Sequence, residues 1–157
     1  MSLTLYAESL DKIDLKIVEL LSVDGRITDT EIAKKVGLSK TSVRLRKLKL
    51  IKSGKIKILG IPILQNLNLV YADIMIKFLV NTSQSQIDNF VKSLMKEDRI
   101  YEIDRYLYKY DLDIGVYHSN FALLKSYIQE LFKHVKIIES YDIFPVLQSY
   151  KGFGVIL

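Results

Sequence analysis

Near the start of the chain, apolar residues return every three or four positions: Ile13, Ile17, Leu20 and Leu21, with Asp14, Lys16 and Glu19 between them. This spacing predicts an amphipathic helix from about Asp11 to Leu21. Asp11 suits its N-cap, and Asp24-Gly25 breaks the pattern. A second helix is expected from Thr28. Thr28 and Glu31 have capping-box spacing, in which the hydroxyl accepts from the N–H three residues on and the glutamate reaches back. Ile32, Ala33 and Val36 form its apolar stripe, and Gly37 ends it. Only Gly37 and Leu38 precede Ser39, the expected N-cap of a third helix running from Lys40 to about Ser53 and stopped by Gly54. Two capped helices joined by a tight glycine turn make a helix-turn-helix, with small Ala33 where the helices must cross closely.

After Gly54 the period changes. Lys55-Ile56-Lys57-Ile58-Leu59 alternates and predicts a strand, and the polar stretch within 61–69 reads as a linker. Val70 to Val80 predicts a strand, Ser85 to Lys96 a helix, Arg99 to Tyr108 and Asp111 to Tyr117 a hairpin of strands. Asn120 caps a helix to about His134, and Lys136 to Phe144 predicts a strand stopped by Pro145. Gly152 to Leu157 suggests one more. The order β-α-β-β-α-β is the split unit of ferredoxin-like domains. The expected fold is therefore α+β: a winged-type helix-turn-helix domain over 1–60, a linker over 61–69 and a βαββαβ domain over 70–157.

Charge sharpens this division. The first sixty residues hold 13 Lys/Arg against 7 Asp/Glu, and the rest of the 157 hold 10 against 11. Between Glu31 and Asp73 there are ten basic residues and no acidic one. A block of one sign points to a polyanionic partner. The third helix carries Lys40, Thr41, Ser42, Arg44, Arg46, Lys47, Lys49 and Lys52 with no acid among them, whereas a purely structural helix mixes signs for local pairing. In a helix-turn-helix the second helix enters the major groove with its N-terminal part at the base edges. Lys40, Thr41, Arg44 and Leu45 are the base-edge candidates. Arg44 has the fork that suits guanine, and Leu45 or the Thr41 methyl suits a thymine methyl. Arg46, Lys47, Lys49 and Lys52 fit phosphates, and Ser42 fits either role.

The pattern Leu10-Asp11-x-x-Asp14-x-x-Ile17-x-x-Leu20, then Asp24-Gly25-Arg26, Glu31-Ile32-Ala33-x-x-Val36-Gly37-Leu38-Ser39 and Val43-x-x-Arg46-x-x-x-Leu50-x-x-x-Gly54-x-Ile56 resembles the leucine-responsive, or Lrp/AsnC, regulators. The third helix departs from it at Lys47, where the family is usually apolar, and at Leu48 and Ile51, where it is usually polar. The resemblance implies a DNA-binding transcriptional regulator whose first strand pairs with its twin in a homodimer. It also implies a second domain for assembly, in many relatives up to an octamer, and for sensing a small effector, often an amino acid. The family's effector hairpin commonly reads Gly-Asp-(Tyr/Phe)-Asp. Here the corresponding residues are Tyr108, Lys109, Tyr110 and Asp111. A glycine lets a ligand approach the backbone closely. Tyr108 crowds that space and Lys109 reverses a charge, so either the ligand differs or there is none.

Composition narrows the other classes. There is no cysteine, so disulfides, thiolate metal sites and cysteine nucleophiles are absent. No apolar run reaches the roughly 18 residues of a membrane span, and residues 1–10 lack the basic start and apolar stretch of a signal peptide. A cytoplasmic location is expected. His118 and His134 have no partner at metal-ligand spacing, Asp111 and Asp113 sit on alternating strand positions without evident purpose, and Gly152-Phe153-Gly154 is not a nucleotide loop. No metal, cofactor or catalytic residue is expected. Sirohaem decarboxylases share the two-domain architecture, but His118 would be their only candidate here. A stand-alone metabolite sensor is the other alternative.

Overall fold

The computed structural model describes residues 10–152 and the backbone of 155 and 156. The described residues form two compact units, residues 10–61 with the tail residues 151–152 and 155–156, and residues 62–150. The tail was expected with the sheet, yet it groups with the helices. In it Lys151–Gly152 pairs antiparallel with Val155–Ile156, while Phe153, Gly154 and Leu157 of the expected last strand lie outside the described residues.

Three helices build the first unit: α1 (Lys12–Val23), α2 (Asp29–Val36) and α3 (Lys40–Lys52). Each begins where a side chain satisfies the free N–H groups of its first turn. Asp11 Oδ1 accepts from the N–H of Ile13 at 2.9 Å and of Asp14 at 2.7 Å. Thr28 and Glu31 form the reciprocal capping box. Ser39 Oγ accepts from the Ser42 N–H at 3.1 Å. Gly37, at φ +70°, turns the chain from α2 into α3 in the left-handed region that favours glycine. Ile17, Ile32, Ala33, Val43 and Leu50 form the core, one or two from each helix. Each of the four larger side chains contributes about 1.5–3 kcal/mol on burial, and partly buried residues such as Leu10, Ile13, Leu20 and Val36 pack around them.

The expected strand Lys55–Leu59 does not form among the described residues. Its alternation supplies a face but no partner strand, and a ladder exists only through pairing. Ile56 packs on the helical core, whereas Ile58 and Leu59 stay exposed.

The second unit begins inside the expected linker. Leu64–Leu67 form a single 3-10 turn, followed by Asn68 at φ +55°. The Gln65 side chain donates to the Ser149 carbonyl at 3.1 Å and accepts from the Ser149 N–H at 2.9 Å. Part of the span 61–69 is therefore fixed by a residue far along the chain. The elements that follow are β1 (Val70–Phe78), α4 (Gln84–Leu94), β2 (Ile100–Arg105), β3 (Leu112–His118), α5 (Phe121–Phe132) and β4 (Ile138–Val146). The sheet order is β2-β3-β1-β4 with every neighbour antiparallel, as a split βαββαβ unit requires.

One face of the sheet carries Ala72, Ile74, Ile76 and Phe78 from β1 and Leu112, Ile114 and Val116 from β3. They bury against Ile87, Phe90 and Leu94 of α4 and Leu124, Ile128 and Phe132 of α5. Several element ends shift by one to three residues from expectation; β1, for example, stops at Phe78 rather than Val80. β2 stops at Arg105 rather than Tyr108, and β4 runs through Pro145 to Val146. β4 is an edge strand, where a residue without an N–H forfeits no ladder bond if that side faces out. No helix among the described residues is long and apolar enough to cross a membrane.

Candidate nucleic-acid interface

Helix α3 turns Val43 and Leu50 into the core. At 3.6 residues per turn these two positions share one face. The opposite face then carries Thr41, Leu45, Leu48 and Lys52, flanked by Lys40, Arg44 and Lys49, and all seven are exposed. Of these, Lys40, Thr41, Arg44, Leu45, Lys49 and Lys52 were expected to meet DNA. Leu48 was not placed in the site from sequence, although its apolar character among polar expectations was the signal.

Ser42, Arg46 and Lys47 are engaged inside the unit. Ser42 lies 2.9 Å, Oγ to Oγ, from the cap residue Ser39. Arg46 Nη1 donates to Asp11 Oδ2 at 2.6 Å and to Asp14 Oδ1 at 2.7 Å. Lys47 is ion-paired with Asp29 at the start of α2. The carboxylates that α3 lacks are thus supplied by α1 and α2, so Arg46 and Lys47, expected at phosphates, also link the helices of the unit. Asp11 serves twice, capping α1 and receiving Arg46. The N–H of Asp14, and next the Arg46 guanidinium, hold its carboxyl below the usual carboxylate range. Lys40, Arg44, Lys49 and Lys52 have no ion-pair partner among the described residues. They lie around one exposed face with their charge available.

Residues of the hairpin expected to hold an effector meet the sheet or face solvent. Tyr108 is 98% exposed. Lys109 Nζ lies 4.9 Å from the ring centre of Tyr110, whose hydroxyl donates to Asp142 at 2.8 Å on β4. Asp111 Oδ2 accepts from the Phe78 N–H at 2.8 Å, at the end of β1. Two of the four residues are therefore used to tie the hairpin to the sheet, and two shallow clefts of this unit, about 320 and 280 Å³, are lined by other residues.

Strand order assembles one cluster that sequence reading missed. Asp113 stands opposite Asp104, and Asp73 and Glu102 stand on either side of Gly115, all on the sheet face away from the helices. Burial, then the neighbouring Asp73, Glu102 and Asp104, pushes the Asp113 carboxyl up to about 6. One of its oxygens is shielded from water and has no hydrogen-bond partner. Asp111, two residues earlier, faces β1 and takes no part. No trio of His, Asp or Glu among the described residues is arranged to hold a metal. His118 Nδ1 accepts from the Ser119 N–H at 2.8 Å at the entrance to α5.

Three capped helices with a basic outward face, joined in one chain to a split βαββαβ sheet, define a helix-turn-helix protein with a ferredoxin-like partner domain. The AsnC-type helix-turn-helix domain matches residues 10–51. An uncharacterised helix-turn-helix transcriptional regulator of Pyrococcus horikoshii is 35% identical over 146 residues, which span 93% of this chain and 92% of the relative. Two solved structures share the fold. One is an AsnC family transcriptional regulator from Agrobacterium tumefaciens, with TM-score 0.79 and 21% identity, over 91% of this chain and 94% of that one. The other is a transcriptional regulator from Neisseria meningitidis in complex with L-methionine, with TM-score 0.79 and 19% identity, over 92% and 94%. The chain belongs to the Lrp/AsnC family of helix-turn-helix transcriptional regulators.

Proposed function

We propose that this regulator binds duplex DNA in the cytoplasm through the outward face of α3, each copy of a homodimer reading one half-site. The observation that carries this is the exposed face of Lys40, Thr41, Arg44, Leu45, Lys49 and Lys52, on a helix whose own acids are absent and whose inward charges are already paired. Thr41, Arg44 and Leu45 occupy the N-terminal half, which meets base edges in this motif. Lys49 and Lys52 supply phosphate contacts, and Lys40 reaches either. Half-sites stand about one helical turn apart, or a multiple of it. Regulation follows from occupying or bending a promoter.

The second unit serves assembly, as a dimer or a higher multiple such as an octamer. The Neisseria relative binds L-methionine. For this chain we place no free amino acid at residues 108–111, because Tyr110 and Asp111 are spent on Asp142 and Phe78 and Tyr108 projects into solvent.

The test is a salt titration of binding to a promoter duplex and to a random duplex. Tighter binding to the promoter, with log K falling steeply against log salt, is expected. Equal binding to both, or binding to neither at low salt, overturns the reading.

A further inference from the structure

Leu45 is 64% exposed and Leu48 41% exposed, three residues apart on the same face of α3. Thr41 stands one turn before Leu45. A single exposed leucine is ordinary on a protein surface and needs no explanation. Two in a stripe with a threonine methyl, enclosed by Lys40, Arg44, Lys49 and Lys52 and by no carboxylate, do. The basic surround repels a second copy presenting the same face and rejects a plain apolar partner. It suits a polyanion that carries apolar points inside its charged rim. The major groove of duplex DNA is such a surface, because thymine presents its C5 methyl there beside acceptor atoms. Duplex RNA is not, since its major groove is too narrow for side chains and uracil has no methyl.

From this, and resting on the DNA-binding function proposed above, we infer that Thr41, Leu45 and Leu48 form an apolar stripe that reads thymine methyls, making Leu48 a specificity residue and A·T pairs the preferred content of the half-site. From Thr41 to Leu48 the stripe runs about 10 Å at 1.5 Å per residue, the length of about three base pairs. Arg44 lies at the border of the stripe and reads a guanine or a phosphate next to it. The Arg46 and Lys47 ion pairs matter here as well. They fix α3 from both sides, against α1 and α2, and so set the rotation that turns Leu45 and Leu48 outward.

The experiment replaces thymine by uracil, which removes one methyl and leaves charge and base pairing unchanged. A short duplex is enriched from a random-sequence pool by binding to the full chain, and its thymines are then changed to uracil one at a time. At least one change per half-site is expected to weaken binding about three- to fourfold, the effect of one buried methyl. L45A and L48A, both at exposed positions, are expected to fold, to keep the salt slope, and each to lose sensitivity to one of these thymines. Affinities within twofold at every thymine overturn the stripe while leaving the DNA reading intact. Undiminished uracil sensitivity in a variant carrying both L45A and L48A assigns the methyl contact elsewhere and overturns it too. Failure to enrich any duplex sinks the DNA reading itself, and the stripe with it.

Discussion

The phenol ring of Tyr101 lies across Gly115, so that a Cβ on the glycine would stand 2.5 Å from the Cζ of the ring. Tyr101 is the extra residue where the register of β2 shifts against β3, and its hydroxyl reaches Asp73 at 3.4 Å. The bulge aims the ring over the one position of β3 that has no side chain. Gly115→Ala is therefore expected to swing the ring off the sheet. The lost burial, roughly 1–2 kcal/mol, outweighs the ~0.5–1 kcal/mol that an alanine contributes by restricting the unfolded chain. In a Tyr101→Ala background the obstacle is gone, and the same glycine change becomes neutral or stabilising. Urea unfolding of the four proteins in this cycle checks the change of sign. Additive effects would show that the ring and the glycine are not coupled.

The acidic sheet face makes stability depend on pH in a defined direction. Asp113 titrates at about 6 in the folded chain, against 3.8 for its ordinary value. Burial also raises Asp73 and Glu102. Between the two Asp113 values the folded chain holds a proton that the unfolded chain has released, so stability falls as pH rises from about 4 to about 6 and stays lower above. Asp113→Asn is expected to remove most of this slope and to raise stability at neutral pH by on the order of 1 kcal/mol, a discounted figure because the carboxylate keeps part of its surface in water. Asp11 acts in the opposite sense. Its lowered pKa contributes stability above its ordinary range, which is lost on acidification. Denaturation midpoints measured from pH 4 to 8 for wild type and Asp113→Asn check this. Parallel profiles would refute it.

Helix ends were legible in the sequence because caps are local. Asp11, Thr28 with Glu31, Gly37, Ser39 and Asn120 each act within three or four residues, and each stands at the boundary its chemistry predicted. What the sequence concealed depends on residues brought together from afar. Gln65 is ordered by Ser149, 84 positions away. Lys55–Leu59 has the alternation of a strand but pairs with no other strand among the described residues. β4 tolerates Pro145 only because it is an edge, a fact of strand order. The same order gathers Asp73, Glu102, Asp104 and Asp113, which look unrelated in the chain. In α3, charge count alone made every base a DNA contact. The carboxylates that claim Arg46 and Lys47 lie on other helices, and only the folded arrangement separates these two from Lys40, Arg44, Lys49 and Lys52.

Arg46 is expected to behave as a positioning residue. It is 32% exposed and its two partners are Asp11 and Asp14, the latter 14% exposed. Arg46→Gln and Asp14→Asn should each destabilise the helical unit, with a coupling between them of about 1 kcal/mol in a double-mutant cycle. Where the regulator remains folded, Arg46→Gln should leave the slope of log K against log salt unchanged, since no phosphate contact is removed. A slope reduced by about one would make it a phosphate contact after all.

Arg44 provides the opposite case, and the comparison decides what α3 does. It is exposed, has no ion-pair partner among the described residues, and lies on the outward face in the N-terminal half of the helix. Removing it should therefore cost nothing in folding and much in recognition. Arg44→Ala is expected to unfold at the wild-type denaturant midpoint. It should also lose about 1–3 kcal/mol of preference at one base pair, the range for a bidentate contact to guanine. Binding to a panel of single base-pair variants of the enriched duplex locates that pair. A loss equal across specific and random duplexes, with a shallower salt slope, would instead place the guanidinium on a phosphate. Base reading would then fall to Lys40, Thr41, Leu45 and Leu48. The two arginines, two positions apart on one helix, should thus separate cleanly: Arg46→Gln is read in stability, Arg44→Ala in sequence preference.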